Sequence, residues 1–160
     1  MLLFGVLVVN LIVFFVWREY SIYLKRELNI CRTFRIMLRD MHNKMRCYLD
    51  SPRTWALGYE DDILLESGFL YELRRGASLC EAYDACKSGM CISSEVDTVL
   101  RDFFVRMGEG YLDTELIAIE SAISGLMECE RVMSDESTKK SKVAGAVLGA
   151  FAIGTVILVM

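Results

Sequence analysis

The chain has 160 residues, 54% of them apolar, with 18 Lys and Arg against 22 Asp and Glu and a mean hydropathy of +0.34. That apolar content excludes a disordered chain, and a net charge of −4 argues against a basic nucleic-acid binder. One proline and 11 glycines are too few for a turn-rich all-β fold, and the length allows one domain with or without membrane segments.

Residues 1–17 and 143–160 carry no charge, so every ionised side chain lies within residues 18–142. In the first run, MLLFGVLVVNLIVFFVW, Asn10 is the only clearly polar side chain. As a helix it spans roughly 26 Å, close to a hydrocarbon core of about 30 Å. Trp17 and Tyr20 are placed to mark an interface, and Arg18 to snorkel. A cleaved signal peptide needs a basic start and a small-x-small cleavage site; this run has neither. The expectation for 1–17 is a retained transmembrane helix.

From Arg18 to Leu49 there is no Pro or Gly, and Leu24, Leu28, Cys31, Phe34, Leu38, Met41, Met45 and Tyr48 recur at intervals of three and four. That is one stripe of an amphipathic helix of about 48 Å, continuing out of the first run. Ser51 caps and Pro52 opens a short helix that Gly58 stops. Glu60, Asp61 and Asp62 suit the start of a helix running to Arg75, with Gly76 after it. Another helix runs from Ser78 to Lys87 and ends at Gly89. Ser94 then caps Glu95–Met107, whose Val96, Val99, Leu100, Phe103, Phe104 and Met107 form a full helical face. Gly108-Glu109-Gly110 is a break, with Ser51, Pro52, Gly108 and Asp113 assigned to inter-helix loops. After Asp113 a long helix buries Leu116, Ile119, Ile123 and Leu126 and turns polar from Glu128 to Lys142, a stalk into the last run. With no sustained alternation of period two, the fold class expected is all-α, an antiparallel bundle of about six helices.

The last run, VAGAVLGAFAIGTVILVM, sets Gly145 and Gly149 four apart, with Ala146, Ala150 and Gly154 as a second ridge. Small residues at that spacing let helices approach closely in lipid, and the first run is the nearest expected partner for this transmembrane packing face. Arg18, Lys25 and Arg26 follow the first run, while Lys139, Lys140 and Lys142 precede the last. The positive-inside rule then puts residues 18–142 in the cytoplasm and both ends outside. The domains expected are a transmembrane helix at 1–17, a cytosolic helical domain at 18–142 and a second transmembrane helix at 143–160.

No catalytic constellation emerges, and neither a cofactor nor a metal is expected. His42 is the single histidine, no Gly-Lys-Ser/Thr phosphate loop occurs, and Gly108-Glu109-Gly110 lacks the dinucleotide fingerprint. Cys80, Cys86 and Cys91 lie six and five positions apart, unlike the usual zinc knuckle, and the six cysteines read as buried thiols in a reducing compartment. Met37, Met41, Met45 and Met107 read as core filler. Glu60, Asp61, Asp62 and Glu66 form an acidic cluster, either a docking patch for a basic partner or an ordinary solvated helix start. A membrane-anchored enzyme or metal protein built on Cys80, Cys86, Cys91 and His42 is the reading from another class.

LNICRTFRIMLRDMHNKMRCYLDSPRTWA, after an apolar start, resembles the N-terminal half of the stage III sporulation protein AB family. SSEVDTVLRDFFVRMGEGYLDTELIAIESAISGLMECE, followed by a polar stalk and a Gly-rich run, is similar to that family's final region. The chain departs from the family pattern at Tyr111, where an Asp is common, at Tyr83, where a Trp is common, and in the cysteine-rich stretch Cys80–Cys91. The resemblance implies a domain like the cytoplasmic domain of the type II secretion platform protein F. It implies a non-enzymatic inner-membrane scaffold on the mother-cell side of the mother cell–forespore channel in endospore-forming bacteria. Implied partners are the cytosolic secretion-type ATPase (stage III sporulation protein AA), other membrane components of that channel, membrane lipid and a further copy of the chain as a homo-oligomer, with no nucleic acid. The alternative is a platform subunit of a type II secretion, type IV pilus or tight-adherence system.

Overall fold

The long uninterrupted stripe in the sequence becomes a single long helix in the computed structural model. The structure describes residues 2–48, 54–55, 58–90, 92–107 and 111–159, with the backbone alone described at 2–7, 9–10, 48, 148 and 150–159. Six α-helices lie among the described residues, and no strand. They are α1 (Leu2–Tyr48), α2 (Asp62–Glu66), α3 (Phe69–Arg74), α4 (Leu79–Cys86), α5 (Ser94–Arg106) and α6 (Leu112–Val159), with a 3-10 turn at Lys87–Gly89. The chain divides into two compact units: Met1–Lys25 with Val132–Met160, and Arg26–Arg131.

In the unit Arg26–Arg131, α1 and α6 lie antiparallel. His42 of α1 meets Glu120 of α6, while Arg35, a turn or two earlier on α1, meets Glu130, later on α6. The apolar stripe supplies the seam: Cys31, Phe34, Leu38, Met41 and Met45 are fully buried, as are Ile119 and Leu126 opposite. Ile30, Met37 and Ala122 widen the buried faces beyond the expected stripe, and Leu28, Leu116 and Ile123 sit at its margins. Against this seam pack α2 to α5, each touching the next in the order α2–α3–α4–α5. At the centre are five rings from four helices. Phe34 meets Phe69, Tyr83 and Phe104 at centroid separations of 5.8, 6.1 and 6.3 Å, all edge-on, and Phe103 lies tilted beside Phe104 at 5.1 Å. Edge-to-face packing aligns the positive ring edge with the negative face, so these contacts add to burial.

Several expected boundaries move. The helix expected over residues 60–75 is two helices, because Gly68 adopts φ +86°, a left-handed conformation that favours glycine and ends α2. Asp61 is the N-cap of α2, its carboxylate accepting from the backbone N–H of Ile63 at 2.9 Å and Leu64 at 3.1 Å. For α5 the cap is Ser93 rather than Ser94, which lies inside the helix. Asp113, assigned above to a loop, lies in the first turn of α6, where the N–H groups of the helix start favour its charge. Ser51, Pro52 and Gly108 lie outside the described residues, as do most of the short helix after Pro52 and the break at Gly108-Glu109-Gly110. Trp55 is buried, and its indole N–H donates to Asp40 at 2.7 Å, tying the segment after α1 back onto that helix.

Candidate functional site

Four places combine placement with chemistry. The first is the acidic cluster. Asp61 is occupied as a cap, whereas Glu60, Asp62 and Glu66 are exposed and make no ion pair among the described residues. Three solvated carboxylates on one short stretch form an acidic surface beside Tyr59, whose phenol is pushed up by burial and by the charges of Asp61 and Asp40.

The second is a polar hub on α4 and α5. Ser78 and Glu81 form a reciprocal capping box at the start of α4, and those hydrogen bonds hold the Glu81 carboxyl below its ordinary range. Asp84 accepts from Lys87 at 2.9 Å and Arg101 at 3.0 Å, which likewise lowers its carboxyl. Tyr83, buried to 1% exposure, donates its hydroxyl to Asp97 at 2.8 Å, and burial with that bond drives its phenol well above the usual range. The bonds of Tyr83 to Asp97 and of Asp84 to Arg101 fasten α4 to α5.

The third is the set of cysteines and His42. Cys31 is fully buried, its thiol donating to the Leu126 carbonyl at 3.5 Å, and burial pushes its pKa up to about 12. Cys86 is also buried, whereas Cys80 and Cys129 are half-buried and Cys47 is exposed. The buried-thiol reading therefore fits Cys31 and Cys86, while Cys47 on the outer face of α1 is a correction to it. Cys91 lies outside the described residues. His42 Nε2 sits 3.1 Å from Glu120 on α6. No group of three or more His, Cys, Asp or Glu among the described residues is arranged to hold a metal ion.

The fourth is a groove of about 540 Å³ in the unit Met1–Lys25 with Val132–Met160. Its α1 wall is Val13, Trp17, Tyr20, Ser21, Leu24 and Lys25. The α6 wall carries Ser137, Lys139, Lys140 and Ser141, then Val143, Ala144 and Val147. Lys140 Nζ lies 2.8 Å from Glu136 and 5.9 Å from the centre of the Tyr20 ring, and both partners raise its pKa. Gly145 and Gly149, the expected transmembrane packing face, are not among the residues that line this groove. Among the described residues a methyl built on either glycine meets nothing within 4 Å, and Ala146 is exposed. For Ala150 and Gly154 only the backbone is described.

Trp17, Tyr20, Lys25, Lys139 and Lys140, which lie at the inner ends of the two charge-free runs in the sequence, all line this groove. Their convergence on one groove had no local signal, because it depends on which residues of α6 come opposite α1. Among the described residues no helix is long and apolar enough to cross a membrane. No protein family, no curated protein and no solved structure matches the chain.

Proposed function

We propose that the chain is a non-enzymatic, membrane-anchored scaffold, serving as a platform component of the mother cell–forespore channel of endospore-forming bacteria. The observation that carries the reading is the position of the two charge-free runs. They form the outer ends of α1 and α6, and those ends come together in one compact unit, with basic residues beside each run. In this reading residues 1–17 and 143–160 form a two-span anchor in the inner membrane, and residues 18–142 face the mother-cell cytoplasm.

The remaining support is the likeness of residues 28–56 and 93–130 to the stage III sporulation protein AB family, together with an all-helical unit built on two antiparallel helices. The F-like fold, the scaffold role and the ATPase partner all follow from that likeness. The exposed carboxylates Glu60, Asp62 and Glu66 then form the surface offered to the cytosolic ATPase.

Deletion of the gene tests the role directly: sporulation is expected to stop after engulfment, and a deletion strain that sporulates normally contradicts it. A pull-down of the ATPase with the full chain in detergent tests the surface. Glu60→Lys, Asp62→Lys and Glu66→Lys together are expected to weaken capture at least about fivefold. Unchanged capture would remove the acidic stretch from the interface.

A further inference from the structure

The groove between the start of α1 and the end of α6 has two chemically different halves. One is apolar, with Val13, Trp17, Val143 and Val147. The other carries Lys25, Lys139 and Lys140 with the hydroxyls of Ser21, Ser137 and Ser141. Its size falls within the range of about 300–1,000 Å³ typical of small-molecule sites. Glu136 is the carboxylate paired with this cationic half, through Lys140, and the Lys139 charge also acts on it. Lys25 and Lys139 are exposed and make no ion pair among the described residues. Three ammonium groups against one carboxylate leave the polar half net positive, while the apolar half continues into segments without any charge.

We propose that this groove binds one anionic phospholipid from the leaflet on the side of residues 18–142. An acyl chain lies along Val13, Trp17, Val143 and Val147, and the phosphate sits among Lys25, Lys139 and Lys140. The proposal rests on the membrane-anchored reading above. A free phosphate would satisfy the lysines and leave the apolar half exposed to water, so a molecule carrying both parts fits the whole groove. A zwitterionic headgroup would bring its own cation against the uncompensated ammonium groups, which favours a net-negative lipid. A phosphate oxygen accepts charge-assisted hydrogen bonds from the ammonium groups and from the serine hydroxyls at the groove wall. Lysines close to an anionic leaflet each add further attraction, and here three are gathered on one cleft.

Trp17 lines the groove and reports occupancy. The full chain is reconstituted in phosphatidylcholine vesicles that contain either brominated phosphatidylglycerol or brominated phosphatidylcholine at the same low mole fraction. Bromine quenches a tryptophan it touches, and a Trp17→Phe variant subtracts the signal of Trp55. Brominated phosphatidylglycerol is expected to quench Trp17 at least about twofold more than brominated phosphatidylcholine. Lys25→Ala, Lys139→Ala and Lys140→Ala together should bring that ratio to about one, and Lys142→Ala, outside the groove, should leave it unchanged. Equal quenching by the two lipids overturns the lipid site while the membrane anchor stands. Quenching by neither overturns the anchor and the site together. An excess that survives the triple substitution, or that Lys142→Ala alone abolishes, overturns the site in favour of general attraction between basic residues and the anionic surface.

Discussion

Gly125 shows how a single residue sets the distance between two helices. A Cβ there would lie 3.1 and 3.2 Å from the two γ-methyls of Val99, closer than ordinary van der Waals contact. An alanine gains helix propensity of about 1 kcal/mol, but Val99 is β-branched and held near one rotamer in α5, so it has little room to turn aside. Gly125→Ala is therefore expected to destabilise the chain by about 1 kcal/mol net. Adding Val99→Ala should recover part of that loss, since it removes the clash. Chemical denaturation of the four members of the cycle measures it, and simple additivity would mean the contact is not the cause. Cys31 gives a pH-dependent counterpart. Its folded pKa, about 12, lies above the ordinary 9.0 of a thiol, so its contribution is fully present below pH 9 and is lost as pH rises from about 9 toward 12. Thermal midpoints should fall over that window, and Cys31→Ala should flatten the fall even where it lowers the midpoint overall. At neutral pH, Cys47 is expected to alkylate well before Cys31 and Cys86, read peptide by peptide in a mass spectrometer; equal rates would contradict the burial described.

Among the elements, periodicity carried most of the fold. The stripe from Leu28 to Met45 and the face from Val96 to Met107 were legible because one wide apolar face repeats over several turns. Breaks were less legible. Gly68 sits in a run that otherwise reads as continuous helix, and only its positive φ separates α2 from α3. Its added Cβ would meet Cys86 at an ordinary 3.6 Å, so Gly68→Ala should cost about 1 kcal/mol through the backbone alone. The capping box at Ser78 and Glu81 is a readable pattern, and it fixes where α4 starts. Ser78→Ala is expected to cost about 1 kcal/mol, with Glu81→Gln costing less because its amide oxygen still accepts the Ser78 N–H. Equal losses for the two would show that the charge, rather than the cap geometry, matters. The ties of Glu130 to Arg32 and Arg35 had no such pattern, because each joins residues far apart in the sequence whose facing is decided by the packing of α1 on α6.

For the whole molecule, the charge map and the helices bear on the same account. Every ionised side chain lies in residues 18–142, and the two runs without charge form the outer ends of the two longest helices. Composition made that division legible, and the groove lysines were visible as its flanks. The groove itself was not, because a cleft between two helices depends on their register. The central claim is the two-span anchor with residues 18–142 on the cytoplasmic side. Single cysteines in an otherwise cysteine-free chain test it most directly, one appended after Met160 and one introduced as Asn43→Cys on the exposed face of α1. A membrane-impermeant maleimide on intact cells is expected to label the appended cysteine, and to reach position 43 only after the membrane is permeabilised. Labelling at position 43 in intact cells, or release of the chain from membranes by an alkaline carbonate wash, would contradict the account.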